Sequence, residues 1–167
     1  KGIKETLDEF SIDLVGGDVT KGEFNISVNV FGYPFKKPIL RNGANLGDSI
    51  FVTGQLGKAK QGLNDWLNKK DSIYCKDFLR PKPQFQKAKD ISDFATSCID
   101  ISDGLIKDLG DICKQSNVGA ELCYEDIPIL NDHKDLTHGD DYELCFTAPS
   151  HLDDQIKSQG FFLIGKI

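Results

Sequence analysis

The sequence predicts an α+β fold, with mixed sheets and covering helices, on three observations. Short runs of alternating or continuous apolar residues recur along the chain. Amphipathic segments of helical period stand between many of them, and Gly/Asp clusters sit where those runs end. In order, "KGIKETLDEF" has Ile3, Leu7 and Phe10 on one helical face, and "IDLVGGD" is a short apolar run broken by two glycines. "EFNISVNVFGY" (23–33) alternates strictly, with Phe24, Ile26, Val28 and Val30 on one face, as a half-buried antiparallel strand should. "PFKKPIL" reads as a linker, Pro34 and Pro38 bracketing two lysines. "DSIFVTG" follows as a strand, and "GKAKQGLNDWLNK" as an amphipathic helix carrying Leu63, Trp66 and Leu67. The two prolines of "RPKPQ" make an extended break before a helix through "FQKAKDISDF". Then "SCIDI" is a strand, "GLIKDLGDICKQS" a helix, and "GAELCYEDI" and "DYELCFTA" are strands. "SHLDDQIKS" is a short helix and "FFLIGKI" a last strand. No repeats or low-complexity segments occur.

Composition narrows the function classes. The 167 residues suit one medium domain, or one domain with part of another. With 39% hydrophobic and 28% charged residues the chain should be ordered. A formal net charge of -6 argues against a general nucleic-acid binder, though not against a small anionic ligand held by local cations, backbone amides or a bridging metal. Cysteines 75, 98, 113, 123 and 145 include no Cys-x-x-Cys pair and read as reduced, mostly buried cytoplasmic thiols. The three histidines do not space with them as zinc ligands would. No apolar run approaches a membrane span. A start at Lys1 and a final apolar run just begun suggest an internal fragment of a longer protein.

"CIDISDGLIKDLG" (98–110) is the densest chemical signal, with Asp100, Ser102 and Asp103 crowded where a strand hands over to a helix. The spacing is not that of an EF-hand, which needs oxygens at positions one, three and five and glycine at six. One reading is helix capping by Ser102 or Asp103, with Asp108 on the solvent face. The cap leaves Asp100 unexplained. The other reading is a site for a cation. "LVGGDVT" (14–20) repeats the arrangement with Asp18 and Thr20, and "HGDDYEL" (138–144) puts Gly139, Asp140 and Asp141 before a strand. Each alone is a plain turn. Three such clusters at strand mouths suit magnesium, which prefers carboxylates, water and phosphate oxygens, and hence phosphoryl transfer.

"LVGGDVT", "LRNGANLGDSIFVTGQLGKA", "FLRPKPQ", "IDISDGLIKDLGDICKQSNVGAEL", "DIPI" and "DDYELCFT" occur in the order found in the thiamine-monophosphate kinase family, which the chain resembles over nearly its whole length. The wider superfamily includes aminoimidazole ribonucleotide synthetase, selenophosphate synthetase and a hydrogenase maturation factor. The resemblance implies two α/β domains, the first pairing across a homodimer to build a barrel. Residues 1–36 would then be the end of the N-terminal ATP-binding and dimerisation domain, and 37–167 the start of the C-terminal domain. It implies ATP contacts at Gly17, Asp18, Arg41 and Ser102, magnesium ligands at Asp18, Asp100 and Asp103, and a thiamine-phosphate contact at Asp140. Asp140 stands where the family usually has glutamate, and His138 where it has glycine; a solvent-facing position is expected for His138.

The activity implied is MgATP-dependent phosphorylation of thiamine monophosphate to thiamine diphosphate, with no general base assigned. The family's N-terminal acidic cluster and C-terminal aromatic are not in this chain. Another superfamily member acting on a different acceptor, or a non-catalytic nucleotide-binding or dimerisation module, are the competing readings. "DIPI" and "DDYELCF" favour the thiamine enzyme, and the intact acids of "GGD" and "DISDG" count against a module.

Overall fold

A computed structural model describes residues 2–167. The chain divides into two compact units, Lys1–Tyr33 and Pro34–Ile167. In the first, helix α1 (Gly2–Phe10) ends where Ser11 takes a left-handed φ of 53° and Ile12 N–H bonds back to the Leu7 carbonyl. Residues 12–33 contain no helix or strand. The strand expected over 23–33 is therefore absent. Its alternation is real, but a strand exists only through pairing, and no other strand lies among the described residues of this unit. Phe24, Ile26, Val28 and Val30 stand exposed as a result.

The second unit is built on one sheet. Strands β1 (Asp48–Val52), β2 (Ser97–Asp100), β3 (Glu121–Leu122), β4 (Leu144–Pro149) and β5 (Phe162–Lys166) lie in the order β2-β4-β1-β5-β3. The α+β class holds, and every pairing in the sheet is antiparallel; the parallel component is one bridge, Leu56 to Ile129. β1 is buried along its whole length because it is central and covered on both faces. Its alternate residues feed two cores. Ile50 and Val52 join Ile99, Ile101, Cys145 and Ile164 beneath helix α5 (Leu105–Ser116). Phe51 joins Phe146, Ala148 and Phe161 on the other face, beneath Ile91 of α4 (Phe85–Ile91) and Ile156 of α6 (Asp153–Ser158).

Helix α2 (Lys58–Leu67) follows β1, and the short α3 (Cys75–Leu79), not anticipated from sequence, packs on it. Trp66 remains half exposed, with its ring 6.3 Å from that of Phe78. The strand expected across "GAELCYEDI" is only the two residues of β3, because Tyr124–Asp126 turn into a 3-10 helix. No described helix is long and apolar enough to cross a membrane. All five cysteines are free; Cys145 is buried, Cys75, Cys98 and Cys113 are half-buried, and Cys123 is exposed.

Phe146 sets the aromatic core. It stacks on Phe51 at 5.2 Å and meets Phe161 edge-on at 5.6 Å. Phe146→Ala should cost about 3–5 kcal/mol, the usual range for deleting a buried aromatic. A urea titration of the full-length protein checks this, with Phe162→Ala, on the exposed side of an outer-lying strand, as a control losing far less.

Candidate functional site

The β2–β4 ladder does not stop where the strands do. Beyond Asp100, which pairs with Leu144, Ile101 N–H bonds to the Glu143 carbonyl at 2.7 Å. Tyr142 N–H bonds to the Ile101 carbonyl at 2.9 Å, and Asp140 N–H to the Ser102 carbonyl at 3.0 Å. The "DISDG" and "HGDDYEL" stretches thus run side by side, though the bonded residues lie 38 or more positions apart along the chain. Gly139 permits the approach: a Cβ there would lie 2.0 Å from the Ser102 carbonyl oxygen. Gly104, with φ 115° and ψ 146°, packs on the backbone of Thr137, where a Cβ would lie 2.9 Å from the carbonyl carbon.

The helix start corrects the capping expectation. The N-cap of α5 is Gly104, and neither Ser102 nor Asp103 caps. Asp108, expected on the solvent face, is 2% exposed. Its Oδ2 accepts from the Asp103 and Gly104 amides at 3.0 and 3.1 Å. One buried carboxylate in the first turn of the helix thereby ties back the two amides that lead into it, with the helix dipole favouring its charge. Asp103 is exposed and forms an i,i+4 ion pair with Lys107, whose ammonium is held above its ordinary pKa chiefly by that hydrogen bond. The side chains of Asp100, Ser102, Asp140 and Arg41 have no hydrogen-bond or ion-pair partner among the described residues.

Arg41 is positioned through its backbone. The Leu40 carbonyl accepts from Cys98 N–H at 3.0 Å on the outer edge of β2, and the Arg41 carbonyl from the Ser116 hydroxyl at 3.2 Å at the end of α5. The guanidinium stays exposed. Arg41 and Asp100 line one pocket of about 760 Å³, together with Phe35, Lys37, Cys98 and Gln115. Burial, with Asp100 adding repulsion, pushes the Cys98 thiol up to about 12, so it stays protonated and contributes only bulk.

The second limb is held by other acids. Asp141 accepts from Gly57 N–H at 2.7 Å and Ala59 N–H at 3.1 Å, capping α2 from across the sheet. Burial raises its pKa against the pull of those two amides, and Asp135 and Glu143 raise it further. Glu143 accepts from the Thr53 hydroxyl at 2.6 Å and from Lys87 at 2.8 Å. Asp140 and Tyr142 both have left-handed backbones, with φ 66° and 50°. His138 is not solvent-facing as expected: it is half-buried, and its Nε2 is enclosed with no partner among the described residues.

Of the residues singled out in the sequence, Asp100, Ser102, Asp103 and Asp140 fall on neighbouring backbone, and Arg41 shares a pocket with Asp100. Gly17 and Asp18 lie in the first unit, exposed, where Asp18 Oδ1 accepts from the next residue's amide at 2.8 Å. No group of three or more potential metal-ligating side chains forms among the described residues. Asp100 and Asp103 fit a hard cation in chemistry, Asp100 lacking a partner among the described residues and Asp103 holding only the exposed Lys107, but they supply two carboxylates only. Sequence reasoning missed Asp108, Asp141 and Glu143. A carboxylate at the fourth helical position after Asp-Gly was the available signal for the first.

Because Asp108 is buried against the Asp103 and Gly104 amides, Asp108→Ala should destabilise the full-length protein by about 1–3 kcal/mol, the cost of stranding such donors. Ser102→Ala should change stability by less than about 0.5 kcal/mol, as for a surface residue without such a role. Equilibrium urea unfolding of both variants makes the comparison; a costly Ser102→Ala with a neutral Asp108→Ala would restore the capping role to Ser102.

No family model matches the chain. Among curated proteins it is similar to thiamine-monophosphate kinase of Escherichia coli K12, with 37% identity over 164 residues, 87% of this chain and 50% of that protein. The chain spans about half the length of the curated relatives it matches. Among solved structures, thiamine monophosphate kinase from Aquifex aeolicus is 32% identical with a TM-score of 0.65, covering 77% of this chain and 50% of that one. AaThiL complexed with AMPPCP and TMP is 31% identical with a TM-score of 0.68, covering 77% and 47%. A hydrogenase maturation protein, HypE, shares the fold at 14% identity, with a TM-score of 0.66 over 77% of this chain and 46% of that one.

Proposed function

We propose that the chain is part of a thiamine-monophosphate kinase, which transfers the γ-phosphoryl group of ATP to thiamine monophosphate and yields thiamine diphosphate. The observation that carries this reading is the prolonged β2–β4 ladder. It sets three oxygen-bearing side chains assigned to the nucleotide and metal limb, Asp100, Ser102 and Asp103, beside Asp140, assigned to the acceptor limb. Sequence identity above 30% to enzymes of that name over 87% of this chain supports the choice of substrate. So does the likeness to AaThiL complexed with AMPPCP and TMP.

In this reading Arg41 clamps ATP phosphate oxygens with its planar fork, Ser102 donates to another, and Gly17 and Asp18 contact the nucleotide from the first unit. Asp18, Asp100 and Asp103 would hold magnesium. Magnesium supplies neutralisation of the charge that spreads over the transferring phosphoryl oxygens. Asp140 orients the acceptor. The acceptor oxygen is already largely ionised near neutral pH, because a phosphate monoester loses its second proton near pH 6. The chain's residues therefore bind and orient, and none has to remove a proton. Residues 1–36 are assigned to the end of an N-terminal domain and 37–167 to the start of a C-terminal one, with a unit boundary after Tyr33 in support. The exposed apolar face of residues 24–30 suits pairing across a homodimer.

Asp100→Asn and Asp103→Asn in the full-length protein should each lower magnesium-dependent turnover by at least about tenfold, since each removes a ligand charge. Melting temperatures should change far less, because neither carboxylate caps α5. Near-normal turnover of both variants at limiting magnesium would contradict the metal-ligand assignment.

A further inference from the structure

Two non-glycine left-handed positions separated by one residue, Asp140 and Tyr142, are unusual, and at Tyr142 the bulky side chain makes φ 50° a true outlier. Such a conformation persists only where the surroundings over-determine it, and the observed strain is a pointer to function. Asp140 tolerates the left-handed region better than most residues, but nothing intrinsic favours it at Tyr142. Three anchors surround the segment. Gly139 lies against the Ser102 carbonyl, the Asp140 and Tyr142 amides bond to Ser102 and Ile101, and Glu143 is tied to Thr53 and Lys87. All three fix the segment to β1, β2 or α4. The side chain between the two left-handed residues, Asp141, points the other way and grips the amides of Gly57 and Ala59 at the start of α2 with one carboxylate oxygen each. Gly57 is itself left-handed, with φ 93°, and closely approached by Asp135, so it offers Asp141 a fixed target.

We propose that Asp141 is a positioning residue: its two-oxygen grip on Gly57 and Ala59 holds the Asp140–Tyr142 segment in its strained form and thereby sets affinity for the phosphorylated acceptor. The acceptor clause rests on the assignment of Asp140 made under the proposed function. The grip needs both oxygens as acceptors. Asp141→Asn presents an amide N–H to one of the two backbone donors and keeps only half of it. Asp141→Ala keeps none. The remaining anchors still join the segment to the sheet, so the loss is local.

The test uses the full-length protein with Asp141→Ala and Asp141→Asn. Steady-state kinetics vary thiamine monophosphate and ATP in turn, and amide hydrogen exchange is followed at Asp140, Tyr142, Gly57 and Ala59. The expected result is a KM for thiamine monophosphate raised about fivefold or more in Asp141→Ala, and less in Asp141→Asn. KM for ATP and kcat should stay within about twofold. Exchange at the four amides should quicken while β1 and β4 stay protected. Unchanged exchange in Asp141→Ala overturns the grip, and quickened exchange with an unchanged acceptor KM overturns its link to the acceptor. Should Asp141→Ala not fold, Asp141→Asn alone carries both comparisons. A wild-type protein that binds thiamine monophosphate but does not phosphorylate it would sink the proposed activity, and exchange together with the dissociation constant for thiamine monophosphate would still decide the role of Asp141.

Discussion

Three backbone hydrogen bonds past the end of β2, from Ile101, Tyr142 and Asp140, hold the two acid-bearing stretches of the second unit side by side. A ladder that ended at Asp100 and Leu144 would let the 100–104 and 138–143 stretches separate, each free to take the turn its own sequence favours. With those bonds in place, both stretches share one backbone frame, and that frame is rooted in β1 and β4, which are buried almost throughout. The cost is steric. Gly139 and Gly104 must come within backbone contact of Ser102 and Thr137, and any Cβ at either position would force the two stretches apart.

The acids of this chain divide by environment. Asp108, Asp135, Glu143 and Asp48 are nearly or wholly buried, and each is matched to donors: backbone amides, a lysine or a threonine hydroxyl. A buried carboxylate without such partners would cost several kcal/mol, so these four are committed to structure. Asp100 and Asp140 are half-exposed without hydrogen-bond partners, and Asp103 holds only a solvent-exposed lysine. Charge left uncommitted beside a pocket lined by Arg41 is what a ligand of mixed charge, such as a nucleotide with its cation, would require. A chain with net charge -6 thus presents local acidity and a guanidinium at one place without conflict.

The strands of the second unit were readable because burial and alternation act within a few residues. "DSIFVTG" and "DYELCFTA" are apolar enough to be buried whichever neighbours they take, and both form central strands. Residues 23–33 carry an equally clear alternation and form none, since period two states which face is apolar and not whether a partner strand is present. Asp108 was misread for a related reason. An aspartate four residues into a helix looks solvent-facing by pattern, and only the reach back to the Asp103 and Gly104 amides reveals why it is buried. His138 went the same way: its Nε2 is buried beside Gly139, whose backbone packs against "DISDG". The candidate site residues rest on the resemblance of their motifs. What the motifs did not reveal is which of their own acids, Asp108, Asp141 and Glu143, hold the stretches in place.

The proposed use of one end of this sheet by both the phosphoryl donor and its acceptor is tested by phosphorus-31 NMR of the full-length protein with MgATP and thiamine monophosphate. The expected result is loss of the ATP γ signal and the monoester signal together, with a new diphosphate ester and ADP in equal amounts. ATP consumed to ADP and free phosphate with the monoester untouched, or ATP left intact, would contradict it.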